Sequence, residues 1–109
     1  MPGNSCASAR SAADLLRDAR AGERAARIPE AIVSYEAAIA GAERAGEHLV
    51  LAEALRRLAV VRHRRGDSAD ARELCRRSHA VSRHAGDTVL AGEALNTLGG
   101  IDLETDAIA

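Results

Sequence analysis

Arg56, Val60, His63 and Arg64 fall at helical spacing, so a helix through them aligns them on one stripe. That stripe lies off the line of Leu55, Leu58 and Ala59. Guanidinium groups present a planar fork of donors that matches carboxylates and phosphates, so the stripe favours an acidic partner. Cys75 and His79 stand four apart, a spacing that two metal ligands on one helix would use. Two ligands do not complete a site, and no second pair sits at matching distance. The expectation is a buried thiol beside a partly exposed imidazole, without metal. Ser78, His79 and Ser82 combine hydroxyls with an imidazole, yet no acid is placed to orient the ring and no glycine-rich nucleophile turn is present. No phosphate-binding glycine motif appears. Catalysis and cofactors are therefore not expected.

Charge is unevenly spread around these residues. All 15 basic residues are arginine, and the net charge is −1. Residues 53–85 carry nine arginines against four acids, whereas residues 87–109 carry five acids and no arginine. Such an asymmetry steers an acidic partner to the middle of the chain, or lets the middle of one molecule meet the tail of another. Nucleic acid fits less well, because Tyr35 is the only aromatic residue and stacking platforms are missing. Two cysteines, Cys6 and Cys75, make no disulfide framework and suit a reducing, cytoplasmic setting. Residues 1–20 contain no apolar targeting core, and no apolar run is long enough to span a membrane.

The elements that must position these side chains are helices. Alanine, arginine, leucine and glutamate, all strong helix formers, dominate the 109 residues. Residues 1–10 are polar and expected to fray, which leaves 11–109 as one domain. Ser11 caps a weak first helix that runs to about Arg24, with Gly22 loosening its end. Pro29 opens a second helix, ended by Gly46. A third spans about Leu49 to Arg65 and buries Leu51, Ala54, Leu55, Leu58, Ala59 and Val61. Gly66-Asp67 forms a turn with Asp67 as cap, and a fourth helix runs from Ser68 to Ala85 over Ala71, Leu74, Cys75, Ser78 and Val81. The fifth begins near Thr88 and applies Leu95, Leu98 and Ile101 to the fourth, with Gly99-Gly100 as a soft point. Short connections force successive helices antiparallel. The expected architecture is all-α, built from stacked antiparallel hairpins.

The chain also repeats itself at a distance of forty residues. Ala45-Gly46-Glu47 returns as Ala85-Gly86-Asp87, Glu53-Ala54-Leu55 with Leu58 returns as Glu93-Ala94-Leu95 with Leu98, and Ala31 returns as Ala71. Such periods mark stacked helical units that bury their apolar faces against neighbours. The unit Ala52 to Ala85 resembles the tetratricopeptide repeat, through Leu55, Leu58 and Ala59 on a helix A, Gly66-Asp67 in the turn, and Ala71, Cys75 and Ser78 on a helix B. The first unit fits through Leu15, Ala19, Ala31, Tyr35 and Ala38, with Ala26-Arg27 in place of Gly-Asp. A third unit contributes a helix A alone. Arg62 stands where an aromatic or apolar residue is usual, and the closing proline is missing. The period looks like the longer variant found in kinesin light chains and in many bacterial signalling and transcription regulators.

The resemblance implies a right-handed superhelix of about two and a half repeats, five helices in all, whose A helices line a groove for a partner peptide or domain. It assigns Leu16, Arg17, Arg20 and Arg24 to that groove from the first unit. The second unit supplies Arg56, Arg57, Val60, His63 and Arg64, and the third Asn96, Thr97 and Gly100. Arg56 and Arg57 are expected to anchor an acidic peptide, with Arg17, Arg20 and Arg64 adding field; the alternative is that these arginines pair with Glu53, Glu23 or neighbours and solvate the surface. The Lys, Asn and Arg set of a chaperone-binding clamp is absent, so chaperone binding is not expected. The other functional reading is self-association, as a structural module or a piece of a larger bacterial regulator. The fifth helix is expected either to cap the array, a role that Asp102, Glu104 and Asp106 favour by keeping this end soluble, or to join a homodimer in which the same acids suit a neighbour's basic second unit.

Overall fold

The backbone turns at twenty-residue intervals, and it turns in the same way each time. The N–H groups of Arg27, Glu47, Asp67 and Asp87 donate to the carbonyls of Gly22, Ala42, Arg62 and Ser82, at 2.8, 3.0, 2.9 and 2.9 Å. One residue earlier, Ala26, Gly46, Gly66 and Gly86 each donate to the carbonyl three positions back. This paired closure satisfies orphan carbonyls at a helix end, and it needs a left-handed residue to turn the chain. Gly46, Gly66 and Gly86 supply it with φ of 70°, 90° and 76°, and Ala26 adopts φ 61° in the same role. The sequence period of forty is thus two helices, each about half of it.

The computed structural model describes residues 10–108, with side chains to residue 105. The readings made for residues 1–9, Cys6 among them, and for the Asp106 side chain lie outside the described residues. Five helices follow from the turns: α1 (Ala12–Arg24), α2 (Ile28–Ala45), α3 (His48–Arg64), α4 (Ser68–His84) and α5 (Thr88–Ile108). No described residue is in a strand. Ser11 caps α1 by accepting from the Asp14 N–H at 3.0 Å, and the Asp87 carboxylate accepts from the Leu90 N–H at 3.1 Å. Asp67 differs from expectation: its carbonyl accepts from Ala71, but its side chain makes no capping bond.

Each helix buries a stripe of small and aliphatic residues. Leu16 and Ala19 on α1 meet Ala31, Tyr35, Ala38 and Ile39 on α2, and Leu55, Leu58, Ala59 and Val61 on α3 meet Ala71, Leu74 and Cys75 on α4, all within one core. With one aromatic residue to fill space, close approach over alanine replaces bulk. Gly22 does not loosen α1: it is buried, and a Cβ there would stand 3.4 Å from that of Ala31. Ser78 is fully buried because its hydroxyl donates to the Ala52 carbonyl at 2.7 Å, and Ser82 donates to the Ser78 carbonyl. Arg62, at a position where an apolar residue was expected, reaches Glu36 on α2 at 2.8 Å and Asp70 on α4 at 3.4 Å, so one guanidinium ties three helices.

Consecutive helices pack together throughout. Beyond neighbours, α1 packs on α3 and α3 on α5, whereas the α2 and α4 backbones stay apart, bridged by Arg77 donating to Glu43 at 3.0 Å, and the α1 backbone packs on neither α4 nor α5. The odd helices therefore lie side by side in one layer, with α2 and α4 outside. The chain measures 56 × 33 × 18 Å, and its smallest dimension is about two helix layers at ~9 Å axis spacing.

One end of this stack departs from the expected packing. Ile101 is buried and Leu98 partly so, joined by Ala91 and Ala94, but Leu95 is 51% exposed. Leu55, its counterpart forty residues earlier, is fully buried. The physical difference is that α3 is followed by α4, which covers Leu55, while no described helix follows α5.

Candidate functional site: an arginine-lined concavity between the first and third helices

Because α1 and α3 run in the same direction, their C-terminal ends come together. Arg24 and Arg64 are forty residues apart, at equivalent places in the last turns of these helices. Cations there complement the helix dipoles. Packing α1 on α3 doubles the effect, and a concavity of about 650 Å3 forms between them, lined by Arg20, Arg24, Arg57, Arg64 and Arg65. Glu23, Ile28 and Val61 complete the lining.

A fixed network underlies these guanidiniums. The fully buried Tyr35 donates its hydroxyl to Glu23 Oε1 at 2.6 Å. Arg64 approaches Glu23 Oε2 at 3.6 Å. Arg57 donates to Glu53 at 2.6 Å, and Arg20 lies 3.7 Å from the same carboxylate. Burial, followed by the hydrogen bond to the Glu23 carboxylate, pushes the Tyr35 hydroxyl well above its ordinary value. Two carboxylates thus hold three of the five arginines, while Arg24 and Arg65 are exposed. The wall keeps a positive excess over an apolar floor of Ile28 and Val61. Such a surface takes an anionic group together with an aliphatic one.

The other groove residues disperse. Arg56 lies about 100° around α3 from Arg57 and 3.9 Å from Glu93 on α5, so the two do not act as one anchor. Arg17 is exposed and pairs with Asp14 one turn back. Asn96 is exposed on α5, and Val60 is half-buried on α3. His63 lies in a neighbouring cleft of about 410 Å3 with Arg64, Gly66, Ser68, Glu104 and Thr105. Its Nδ1 shares a hydrogen bond with the Ser68 hydroxyl at 2.9 Å, and its Nε2 stands 3.4 Å from Glu104. Ser, His and Glu are the residue types of a nucleophilic triad, but the Glu104 side chain is 70% exposed and gives the ring little orientation. The group reads as a polar pin joining α3, α4 and α5.

Part of the charge asymmetry along the chain is paired within the molecule. Three acids of α5 face basic groups of their own chain: Glu93 faces Arg56, Asp102 accepts from Arg72 at 2.7 Å, and Glu104 faces His63. Cys75 is buried, which raises its thiol above the ordinary value, and His79 is half-buried beside it. Among the described residues, no three His, Cys, Asp or Glu side chains gather about one point. No described helix is long and apolar enough to cross a membrane.

The groove assigned from the sequence lacked Arg65, Ile28 and Val61, whereas the pairing of its arginines with Glu53 and Glu23 was the alternative the sequence offered. The signal for the convergence is the period itself: a forty-residue offset sets Arg24 and Arg64 at equivalent places, and both line the concavity. No family model matches the chain, and neither does any curated protein or solved structure.

Proposed function

We propose that this protein is a non-catalytic binding module of the tetratricopeptide type, whose odd helices form the inner layer of a right-handed superhelix and hold an acidic segment of a partner protein. A cytoplasmic setting belongs to the same reading. The observation that carries it is the gathering of five arginines from two successive odd helices around one concavity with an aliphatic floor. Supporting it are the four equivalent turns and the side-by-side odd helices, which is how helical-repeat arrays make an extended surface. Surface arginines also solvate a protein and compensate helix dipoles. Convergence from separate helices on one hollow goes beyond either role.

The experiment is titration of a labelled peptide with several Asp or Glu residues flanking a Leu, followed by fluorescence anisotropy. Charge reversal of Arg24 and Arg65, which have no ion-pair partner among the described residues, weakens binding at least about tenfold, equivalent to ~1.4 kcal/mol. Affinity rises as salt is lowered, because exposed charges are screened over ~10 Å at 0.1 M. Unchanged affinity after the reversal removes this reading.

A further inference from the structure

The charge balance of the arginine concavity selects the kind of anion that fits it. Glu23 lies in the lining, and Glu53 holds Arg20 and Arg57. The C-terminal ends of α1 and α3 each add about half a negative charge. Set against the five guanidiniums, these leave about two positive charges uncompensated. The excess sits on two forks, one from each helix. Arg20, Arg57 and Arg64 lie against carboxylates, whereas Arg24 in the last turn of α1 and Arg65 at the end of α3 are exposed and have no ion-pair partner among the described residues. Glu23 is already engaged by Tyr35 and Arg64. A carboxylate has two oxygens and fills one guanidinium fork. A phosphate monoester has three acceptor oxygens and a charge of about −1.5 to −2 at neutral pH, so it bridges two forks and balances the site.

Size points the same way. A hollow of about 650 Å3 is roughly 11 Å across, and side chains on one face of an extended peptide recur at about 7 Å. It takes two such side chains rather than a row of acids. We propose that, within the binding role inferred for this concavity, the ligand is a phosphorylated Ser or Thr of a partner protein with Leu, Ile or Val two residues away. Arg24 and Arg65 donate to the phosphate oxygens, and the aliphatic side chain lies on Ile28 and Val61. Phosphorylation of the partner then switches binding on.

Fluorescence anisotropy with three labelled peptides tests this. Each has Leu two residues to either side of a central phosphoserine, glutamate or serine. The phosphoserine peptide binds at least about tenfold tighter than the glutamate peptide and about a hundredfold tighter than the serine peptide. Arg24→Gln with Arg65→Gln removes the preference for phosphoserine over glutamate. Arg44→Gln with Arg83→Gln takes the same charge from the last turns of α2 and α4, at the other end of the stack, and leaves the preference intact. Circular dichroism of both variants stays that of the parent, because all four side chains are exposed. Inorganic phosphate displaces the phosphopeptide only at about a hundredfold higher concentration. Equal affinity for the phosphoserine and glutamate peptides overturns this inference and leaves the acidic-segment reading standing, while binding of none of the three overturns both. Inorganic phosphate that competes as tightly as the phosphopeptide overturns the inference, as does a parent-like preference in the Arg24 and Arg65 variant or its loss in the Arg44 and Arg83 variant.

Discussion

Exchanging glycine and alanine at the turns tests the fold's periodicity with little interference. At Gly66, φ is 90° and a Cβ would meet nothing within 4 Å, so Gly66→Ala adds no clash. Its cost is conformational alone. Placing an L-residue in the left-handed region costs about 1–2 kcal/mol, while the more restricted unfolded chain returns about 0.4–1 kcal/mol. The net is a loss of about 1 kcal/mol. At Ala26, φ is 61° and the residue already bears that strain, so Ala26→Gly gains about the same amount. For a domain of this length, 1 kcal/mol moves the midpoint by roughly 4 °C. Thermal melts followed by circular dichroism at one fixed protein concentration read both changes. The predicted outcome is opposite signs and similar sizes, with Gly86→Ala behaving as Gly66→Ala does. If Ala26→Gly lowers the midpoint, or Gly66→Ala leaves it unmoved, the four turns are not equivalent and the twenty-residue period fails.

Other consequences follow from single side chains. Tyr35→Phe removes a donor from the Glu23 carboxylate and costs about 1.5 kcal/mol by chemical denaturation. The Tyr35 hydroxyl, with its ionisation raised above 10.0 in the folded state, makes the native protein bind a proton that the unfolded chain releases. Stability therefore falls as pH rises past 10, and tyrosinate absorbance appears together with unfolding rather than before it. Cys75, in a Cys6→Ser background, reacts with a thiol reagent at the rate of global opening, because burial both shields it and disfavours its thiolate. Arg62→Ala frees Glu36 and Asp70 and is less stable than Arg62→Met, which keeps an apolar stem between α2 and α4 and stays within about 1 kcal/mol of the parent.

Fold legibility followed the strength of local signals. Ser11, Pro29, Gly46 and Gly66 mark helix ends through hydrogen-bond and dihedral requirements that act within a few residues, and the structure ends its helices there. Ala26 was harder, since alanine carries no signal for a left-handed turn; only its place in the period reveals it. Burial of Leu95 was misjudged because its equivalence to Leu55 is a property of the repeat, while burial depends on what comes next in space. The acids of α5 posed a similar problem. Composition registered their excess, but only packing of α5 on α3 and α4 assigns them to Arg56, Arg72 and His63. Within the site, Arg20, Arg24, Arg57 and Arg64 were chosen from the sequence and do meet. Arg56 was grouped with Arg57 by the repeat resemblance, yet neighbours in a helix are 100° apart and face different partners.

Everything proposed for the arginine concavity depends on α1 lying beside α3 in an open row that places α5 two helices away. Nuclear Overhauser contacts among assigned methyl groups measure this most directly. The account predicts contacts from Leu15 and Leu16 to methyls of α2 and α3, contacts from Leu98 and Ile101 to methyls of α3 and α4, and none between the two sets. A contact between Leu16 and Ile101 would mean that the helices close around a common axis, and would contradict it.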